Sequence, residues 1–409
     1  MKLFAVTLNE IIIGAIENDG ERSEFYFAEP YLTMPGRPIL GLHFEDDLSR
    51  RYVSSVRLPP WFSNLLPEGT LRGWIAEDRA VSAAREMELL AHVGHDLPGA
   101  IQVIPTNAIE FERAQHRSEL EFEAPPAMTP EAPWRFSLAG VALKMSMLRQ
   151  GTTFTIPSRG TVGDTIIKFP DRTFKHVPLN EWAMMRLAGR TEIEVPQVHL
   201  IHREEIDAPD NLWPGGEVYA YAVDRFDRTV DGGRIHIEDF AQVRGFYAAR
   251  KYQATMETLG ALIFHGQDEE SLKQYVRRQI FNILVSNGDA HLKNWSLLYS
   301  DPRRPRLAPA YDLVSTAFYR PGGRPEALGM KLAGSRKFER CRLHHFRDLG
   351  RLVGYRGAPL DEIANDQISL VLEHLDGVAT DLAPAQDMQA MILSSCRARA
   401  QTLRSSLSE

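Results

Sequence analysis

Short β-branched runs dominate the first hundred residues. The runs LFAVTLN and IIIGAIE are followed by the turn residues ENDGER and by the alternating EFYFAE, a pattern typical of antiparallel strands. Apolar residues then recur at helical spacing around residues 86–92. We therefore predict a β-rich N-terminal module over residues 1–108.

The composition changes after this module. Residues 109–133 are charged and then proline-rich, and such a segment cannot supply a packed core, so we predict a linker there. Beyond it, FTIP, DTIIKFP, EIEVPQVHLI and VYAYAVDRF have the composition of strands, with one amphipathic helix from about Leu179 to Ala188. These elements predict a small sheet lobe over residues 134–238.

Amphipathic helices characterise residues 239–409. In SLKQYVRRQIFNILV one helical face is apolar, and NDQISLVLEHLDGVA shows the same period. The residues of the first apolar face are Leu272, Tyr275, Val276, Ile280, Ile283 and Leu284. The whole pattern predicts an α+β protein: a β-rich N-terminal module, then a body with a small β-sheet lobe and a mostly α-helical C-terminal lobe.

Composition narrows the classes of function. With 409 residues, 44% of them hydrophobic, the chain can bury the cores of two or three domains. Its formal net charge of −7 argues against a protein that mainly coats nucleic acid, although a local basic patch is still allowed. Cys341 and Cys396 have no partners at metal-ligand spacing, and no apolar run is long enough for a signal or a membrane span. We therefore expect a cytoplasmic protein without membrane association.

The segment SNGDAHLKNWSLLY concentrates polar residues between a helical run and a strand-like run. Asp289 and Asn294 stand five positions apart, the interval used by kinase catalytic loops. That interval suits phosphoryl transfer, because an acid must accept the proton of the attacking hydroxyl while a neutral oxygen nearby holds Mg²⁺. The segment therefore predicts a catalytic loop.

Three further residues extend this hypothesis. WSLLY, the turn residues DPRRP and RLAPAYD indicate a hairpin, and Asn294 and Asp312 lie nine residues on either side of residue 303. Antiparallel pairing would set these two side by side as metal ligands. Lys168, in the apolar run DTIIKFP, could contact phosphate oxygens, and Glu181 in the following helix is placed to pair with it.

Each of these residues also has an ordinary structural explanation. Polar turn clusters commonly satisfy backbone groups, Asp312 could cap a loop, Lys168 could extend from an edge strand, and His291 could be a structural histidine. Their combination favours phosphoryl transfer. A small-molecule kinase, a metal-dependent hydrolase built on the DxH residues with Asp312, and a non-catalytic scaffold are the alternatives.

Several motifs together resemble the HipA family, serine/threonine kinases that act as toxins of bacterial toxin–antitoxin pairs. The resemblance covers nearly the whole chain and rests on LLPEG, GHDLPGAIQV, FSLAGVALK, IIKFP, NEW, AVDRFDR, RIHIEDF, RKYQ, SNGDAHLKNWSLLY and LAPAYDL. It implies a kinase-like body with ATP between its two lobes, Mg²⁺ as cofactor, and autophosphorylation.

The resemblance also implies a role for each matching residue. Asp289 resembles the catalytic aspartate, and Asn294 and Asp312 resemble the magnesium ligands. Ser137 aligns with the serine that the family autophosphorylates, in a loop that then leaves the site. The positions that resemble ATP-binding residues are Lys168, His291, Tyr311 and the hinge residues Asp224 and Phe226, whose backbone would hold adenine.

Partners are likewise implied by the resemblance alone. HipA relatives typically pair with a small helix-turn-helix antitoxin of the HipB type that binds operator DNA, and their best-known target is glutamyl-tRNA synthetase. We therefore expect such an antitoxin, contact with operator DNA mainly through it, and an aminoacyl-tRNA synthetase as the substrate class. The acidic net charge fits this arrangement.

Two positions depart from the family pattern. The family loop usually has the form SxAGxQxK, and Ala142 stands here in place of the Gln. We expect this change to alter the loop contacts to ATP or the Ser137 switch. The family usually has HQED where this chain has HIED, so Ile237 predicts the loss of a hydrogen bond near the nucleotide.

Overall fold

The N-terminal part of the computed structural model is an antiparallel sheet covered by short helices. The structure describes residues 1–94, 96–115, 144–150, 153–155, 163–206, 208, 210–319 and 326–405. The first elements are β1 Lys2–Leu8, β2 Ile11–Asn18, β3 Arg22–Phe27, α1 Glu29–Leu32, α2 Leu42–Glu45, β4 Tyr52–Ser55, α3 Pro60–Ser63, α4 Gly69–Asp78, α5 Glu86–Val93, β5 Ile101–Thr106 and α6 Ala108–Ala114.

The sheet has the order β4-β3-β2-β1-β5. Ala5 lies opposite Ala15, and Val6 lies opposite Val103. Because side chains alternate across a strand, one face of the sheet can bury a continuous apolar layer. That layer packs against aromatic residues of the helices, including Trp61, which is 1% exposed.

Helix α6 corrects the predicted linker. Asn107 caps the helix by accepting a hydrogen bond from Glu110 N at 3.0 Å. Phe111 is buried with Ala5 and Ala15 of the sheet. The first residues of the segment 109–133 therefore form a packed helix rather than a linker, because a few apolar side chains are enough to dock a charged helix on the sheet. Residues 116–143 lie outside the described part of the chain.

A second antiparallel sheet follows, with the order β7-β6-β8-β10-β9. Its elements are β6 Lys144–Gln150, β7 Thr153–Thr155, β8 Thr165–Lys168, α7 Val177–Gly189, β9 Val198–His202 and β10 Tyr219–Asp224. Tyr221 lies opposite Lys168 on one side of β8, and Lys144 lies opposite Lys168 on the other. Lys168 is thus on the central strand of the small lobe and not on an edge strand.

The remaining elements form a mainly helical lobe. They are β11 His236–Asp239, α8 Phe240–Val243, α9 Met256–Ile263, α10 Glu269–Leu284, β12 Ser296–Asp301, β13 Arg304–Leu307, β14 Ala327–Leu332, β15 Ser335–Lys337, α11 His344–Val353, α12 Leu360–His374, α13 Gly377–Asp381 and α14 Gln386–Arg404. All six residues of the apolar face predicted for α10 are buried in one large core. The hairpin β14–β15 was not foreseen.

The predicted order of fold elements is confirmed: a β-rich module, a small sheet and a mostly helical lobe. Among the described residues, no helix combines the length and apolar character needed to cross a membrane.

Candidate active site

The predicted catalytic loop begins where α10 ends. Ser286 has a positive φ of 56° and reverses the chain at the helix end. Its backbone oxygen accepts hydrogen bonds from Thr316 N at 3.1 Å and Thr316 Oγ1 at 2.8 Å, and Thr316 Oγ1 accepts one from Gly288 N at 2.8 Å. Asn287 Oδ1 accepts a hydrogen bond from Asp289 N at 3.0 Å. These bonds explain the density of polar residues, because an irregular backbone segment beside a buried helix needs side-chain partners.

Asp289 presents its carboxylate at the surface of this loop, with 51% of the side chain exposed. Tyr252 donates its hydroxyl hydrogen to Asp289 Oδ1. The Tyr252 ring also makes an edge contact with His291, with ring centroids 5.0 Å apart. Asp289 is therefore oriented by a neighbouring tyrosine and remains accessible to an acceptor group.

Asn294 lies on the same loop and faces a cavity. Its Nδ2 donates to the backbone oxygen of Asp289 at 3.0 Å, which fixes the amide and directs its oxygen away from that bond. Asn294 and Asp312 line one cavity together with Arg278, Tyr311 and other residues. The structure thus brings the two predicted metal ligands to the same cavity.

The predicted register of the hairpin is nevertheless wrong. Leu297 pairs with Leu307, so continuation of the ladder would place Asn294 opposite residue 310 and not opposite Asp312. Strand β13 ends at Leu307, and Asp312 has a left-handed φ of 55°. Asp312 therefore reaches the cavity through an irregular turn after the hairpin, a conformation that strand pairing alone does not predict.

Lys168 connects the two lobes. Its Nζ lies 2.6 Å from Glu181 Oε1, and it also donates a hydrogen bond to Asp312 Oδ1. The predicted pairing of Lys168 with Glu181 is present in the structure and joins β8 to α7. Lys144, the last residue of the FSLAGVALK motif, is the cross-strand neighbour of Lys168 and adds a second positive charge.

Burial and charge shift the pKa values of these groups. Burial raises the pKa of Glu181 to about 7, against the effect of Lys168. Burial would also raise the pKa of Asp312, but the ammonium groups of Lys168 and Lys144 outweigh it and hold that pKa at about 2. Burial alone would lower the pKa of Lys168, and the two carboxylates raise it above its usual value. Lys168 and Asp312 are therefore charged at neutral pH.

The predicted hinge follows β10. Phe226 contacts Tyr311, with ring centroids 5.8 Å apart. Asp224 lies at the end of β10, where its backbone N–H bonds Gln197 O at 3.0 Å and its carboxylate lies 3.4 Å from His199 Nε2. Phe226 of the segment after β10 and Tyr311 of the helical lobe thus bring two aromatic rings into contact.

The donor set at the cavity fits magnesium. Asn294 and Asp312 offer amide and carboxylate oxygens, and Mg²⁺ binds few protein oxygens while keeping several waters. In the part of the chain that the structure describes, no group of three or more His, Cys, Asp or Glu side chains is arranged to hold a metal ion. The hydrolase alternative therefore gains no support from a transition-metal cluster there.

Tyr252 is a residue of the candidate site that the sequence pattern did not identify. Tyr252 belongs to RKYQ, a motif that contributed to the family resemblance without a predicted role of its own.

Ser137 and Ala142 lie outside the described residues. Ile237 lies on β11 beside Gly99 of the N-terminal part, and the neighbouring His236 bonds Leu40 O at 2.7 Å. This strand therefore contacts the N-terminal sheet module.

Comparisons with known proteins match this architecture. A family model of the HipA N-terminal domain matches residues 4–104, and a model of the HipA-like C-terminal domain matches residues 136–391. "Putative kinase Y4dM" of Sinorhizobium fredii is 40% identical over 318 residues, which make up 75% of this chain and 75% of that protein. "Serine/threonine-protein kinase toxin HipA" of Shewanella oneidensis is 29% identical over 296 residues, 65% of each protein.

A solved structure shares the fold. It contains HipA of Shewanella oneidensis MR-1 in a complex with HipB and operator DNA, and HipA has a TM-score of 0.73 to this chain at 20% identity. The match covers 98% of this chain and 97% of that chain, so the α+β, kinase-like fold is confirmed. Because two family models cover both parts of the chain in order, this protein belongs to the HipA family.

Proposed function

We propose that this chain is an ATP-dependent protein serine/threonine kinase of the HipA type. The observation that carries the proposal is the position of Lys168, which is held between Glu181 and Asp312 while Asp312 shares a cavity with Asn294. A lysine paired with a helix glutamate, opposite a loop that carries an acid and an amide, is the arrangement that protein kinases use for phosphoryl transfer from ATP.

Each residue then has a defined task. Asp289 orients the acceptor hydroxyl and takes its proton, and its exposed carboxylate leaves room for a substrate side chain. Lys168 contacts the nucleotide phosphates. Asn294 and Asp312 would hold Mg²⁺, which supplies positive charge where negative charge develops on the phosphoryl oxygens. Phe226 and Tyr311 provide the apolar surface on which adenine lies, with the backbone of the segment from Asp224 as its hinge.

The toxin role and the partners are further parts of the proposal. The relative from Shewanella oneidensis is named a kinase toxin, and the solved relative is assembled with HipB and operator DNA. We therefore expect a HipB-like antitoxin to bind this chain and to provide most of the contact with operator DNA, in line with the net charge of −7. An aminoacyl-tRNA synthetase such as glutamyl-tRNA synthetase, and Ser137 of the chain itself, are the proposed phosphate acceptors.

The Asp289→Asn variant tests the catalytic assignment. The amide keeps an acceptor oxygen for Tyr252 but cannot take a proton, so we expect phosphoryl transfer to fall by about 10²-fold or more while ATP binding is largely retained. Incubation with γ-labelled ATP, followed by mass spectrometry, measures the transfer, and calorimetry measures ATP binding. Asp376→Asn is the matched control, because Asp376 is exposed and pairs with Arg397 at 2.9 Å.

The same labelling experiment separates the classes of function. Label on proteins of a cell lysate supports a protein kinase, and label on a metabolite supports a small-molecule kinase. Label on Ser137, found by site mapping, supports autophosphorylation. Free phosphate without any labelled acceptor, or near-normal transfer by Asp289→Asn, would contradict the proposal.

A further inference from the structure

One acid of the N-terminal module, Glu68, contacts lysines at the candidate catalytic loop. Glu68 belongs to the LLPEG motif and lies between α3 and α4. Its Oε1 is 2.7 Å from Lys293 Nζ, and its Oε2 is 3.3 Å from Lys251 Nζ. Lys293 also donates to the backbone oxygen of Asn64 at 3.2 Å. Both lysines belong to the helical lobe, so these contacts cross from one part of the molecule to the other.

The two lysines are connected directly to the residues proposed for catalysis. Lys293 immediately precedes Asn294, and its backbone oxygen accepts a hydrogen bond from Tyr311 at 3.0 Å. The backbone oxygen of Lys251 accepts a hydrogen bond from Leu292 N at 3.1 Å. Tyr252, the next residue, donates its hydroxyl hydrogen to Asp289. Lys293 is therefore adjacent to Asn294, and Lys251 is adjacent to the tyrosine that bonds Asp289.

The side chain of Lys293 is directed toward the N-terminal module. Only 14% of it is exposed, and its acidic neighbours among the described residues are Glu68 and, at 4.0 Å, Asp239. Burial would raise the pKa of Glu68, but Lys293 and Lys251 outweigh burial and hold it at about 2. Without the Glu68 carboxylate, Asp239 at 4.0 Å would be the remaining acid beside Lys293 among the described residues, and both lysines would lose their shared counter-charge.

We propose that Glu68 is a positioning residue for phosphoryl transfer, through which the N-terminal module orders the catalytic loop of the body. The inference rests on the proposed kinase function. It assigns the N-terminal module an indirect part in the reaction, because the module supplies the counter-charge that holds Lys293 and Lys251 and thereby helps to fix the separation of Asp289 and Asn294.

Three variants test this role. Glu68→Gln keeps the shape but removes the charge, and Glu68→Asp keeps the charge on a shorter side chain. Glu24→Gln is the matched control, because Glu24 also joins two cations of the same module, Arg22 and Arg51, each at 2.6 Å. The kinetic constants for ATP and the deuterium uptake of the peptide covering residues 285–299 are measured for each full-length variant and for the native chain.

The expected result is a change in kcat rather than in ATP binding. Glu68→Gln should lower kcat by about tenfold with KM for ATP changed less than about twofold, and should increase deuterium uptake in the loop peptide. Glu68→Asp should recover most of both losses, and Glu24→Gln should match the native protein. Unchanged kcat in Glu68→Gln, or a lower kcat with unchanged loop uptake, would overturn the proposal.

The uptake measurement keeps this inference separate from the proposed function. If the native chain transfers no phosphate, the kinase proposal fails and the catalytic role of Glu68 fails with it. The uptake of the loop peptide then still decides whether Glu68 orders residues 285–299, since this measurement needs neither ATP nor an acceptor.

Discussion

At the scale of single residues, the Lys168 ammonium has two carboxylate partners with different surroundings. The Glu181 side chain is 7% exposed, whereas a third of the Asp312 side chain is exposed. A lysine drawn to both acids is held between them and leaves Asp312 partly available to a metal ion. The helix glutamate therefore shares the positive charge of Lys168 with Asp312.

Glu181→Gln tests this balance. With the Glu181 charge removed, the Lys168 ammonium would act on Asp312 alone, so half-maximal activity should require more Mg²⁺ and kcat should fall by about tenfold. Initial rates over a magnesium titration measure both effects. Glu192→Gln is the control, since Glu192 is 61% exposed and pairs with Arg277 at 2.7 Å on the surface. An unchanged magnesium requirement in Glu181→Gln would contradict this view of Lys168.

At the scale of elements, periodicity predicted most of the fold and part of the site. The apolar face of α10 and the β12–β13 hairpin were predictable because they depend on local spacing. The position of Asp312 was not, because it depends on a left-handed turn after the strand. The pairing of Glu68 with Lys293 joins residues 225 positions apart, and no periodic pattern encodes such a contact.

Helix α10 carries the catalytic loop at its C-terminal end, and its start is tied to the hairpin. Asp268 caps the helix by accepting from Ser271 N at 3.1 Å, and its other oxygen accepts from Ser271 Oγ at 2.7 Å. Ser271 Oγ in turn accepts from Leu307 N of β13 at 2.9 Å. The cap therefore stabilises both the helix and the hairpin that leads toward Asp312.

Asp268→Ala should lower the free energy of unfolding by about 1 kcal/mol, since the cap and its link to the hairpin are lost together. Urea denaturation at neutral pH measures the change as a lower midpoint with an unchanged slope. Asp268→Asn keeps a cap oxygen and should lose only a few tenths of a kcal/mol. Equal losses in the two variants would show that the charge of Asp268, and not its capping geometry, stabilises the helix.

At the scale of the whole molecule, buried polar groups join the N-terminal module to the body. Asp96 lies 3.0 Å from Arg225 and 2.9 Å from Arg228, and Asp227 accepts from Gly99 N at 2.7 Å. Three residues of AVDRFDR therefore bind the module, while Phe226 of the same segment contacts Tyr311. Removing one member would leave the remaining buried charges with fewer partners.

Glu238 gives this interface a dependence on pH. Its carboxylate accepts hydrogen bonds from Leu42 N at 2.9 Å, Trp61 Nε1 at 3.1 Å and Tyr299, and burial raises its pKa to about 7. The folded protein then keeps a proton that the unfolded chain releases above about pH 4.5. The free energy of unfolding should therefore fall as the pH rises from about 4.5 to 7, by at most about 3 kcal/mol. In Glu238→Gln the free energy of unfolding should lack this dependence on pH, because an amide does not titrate. The altered hydrogen bonds of the variant should change its stability equally at every pH. Urea unfolding of both proteins across this pH range measures the difference, and parallel pH curves for native and variant would show that Glu238 is ionised in the folded interface.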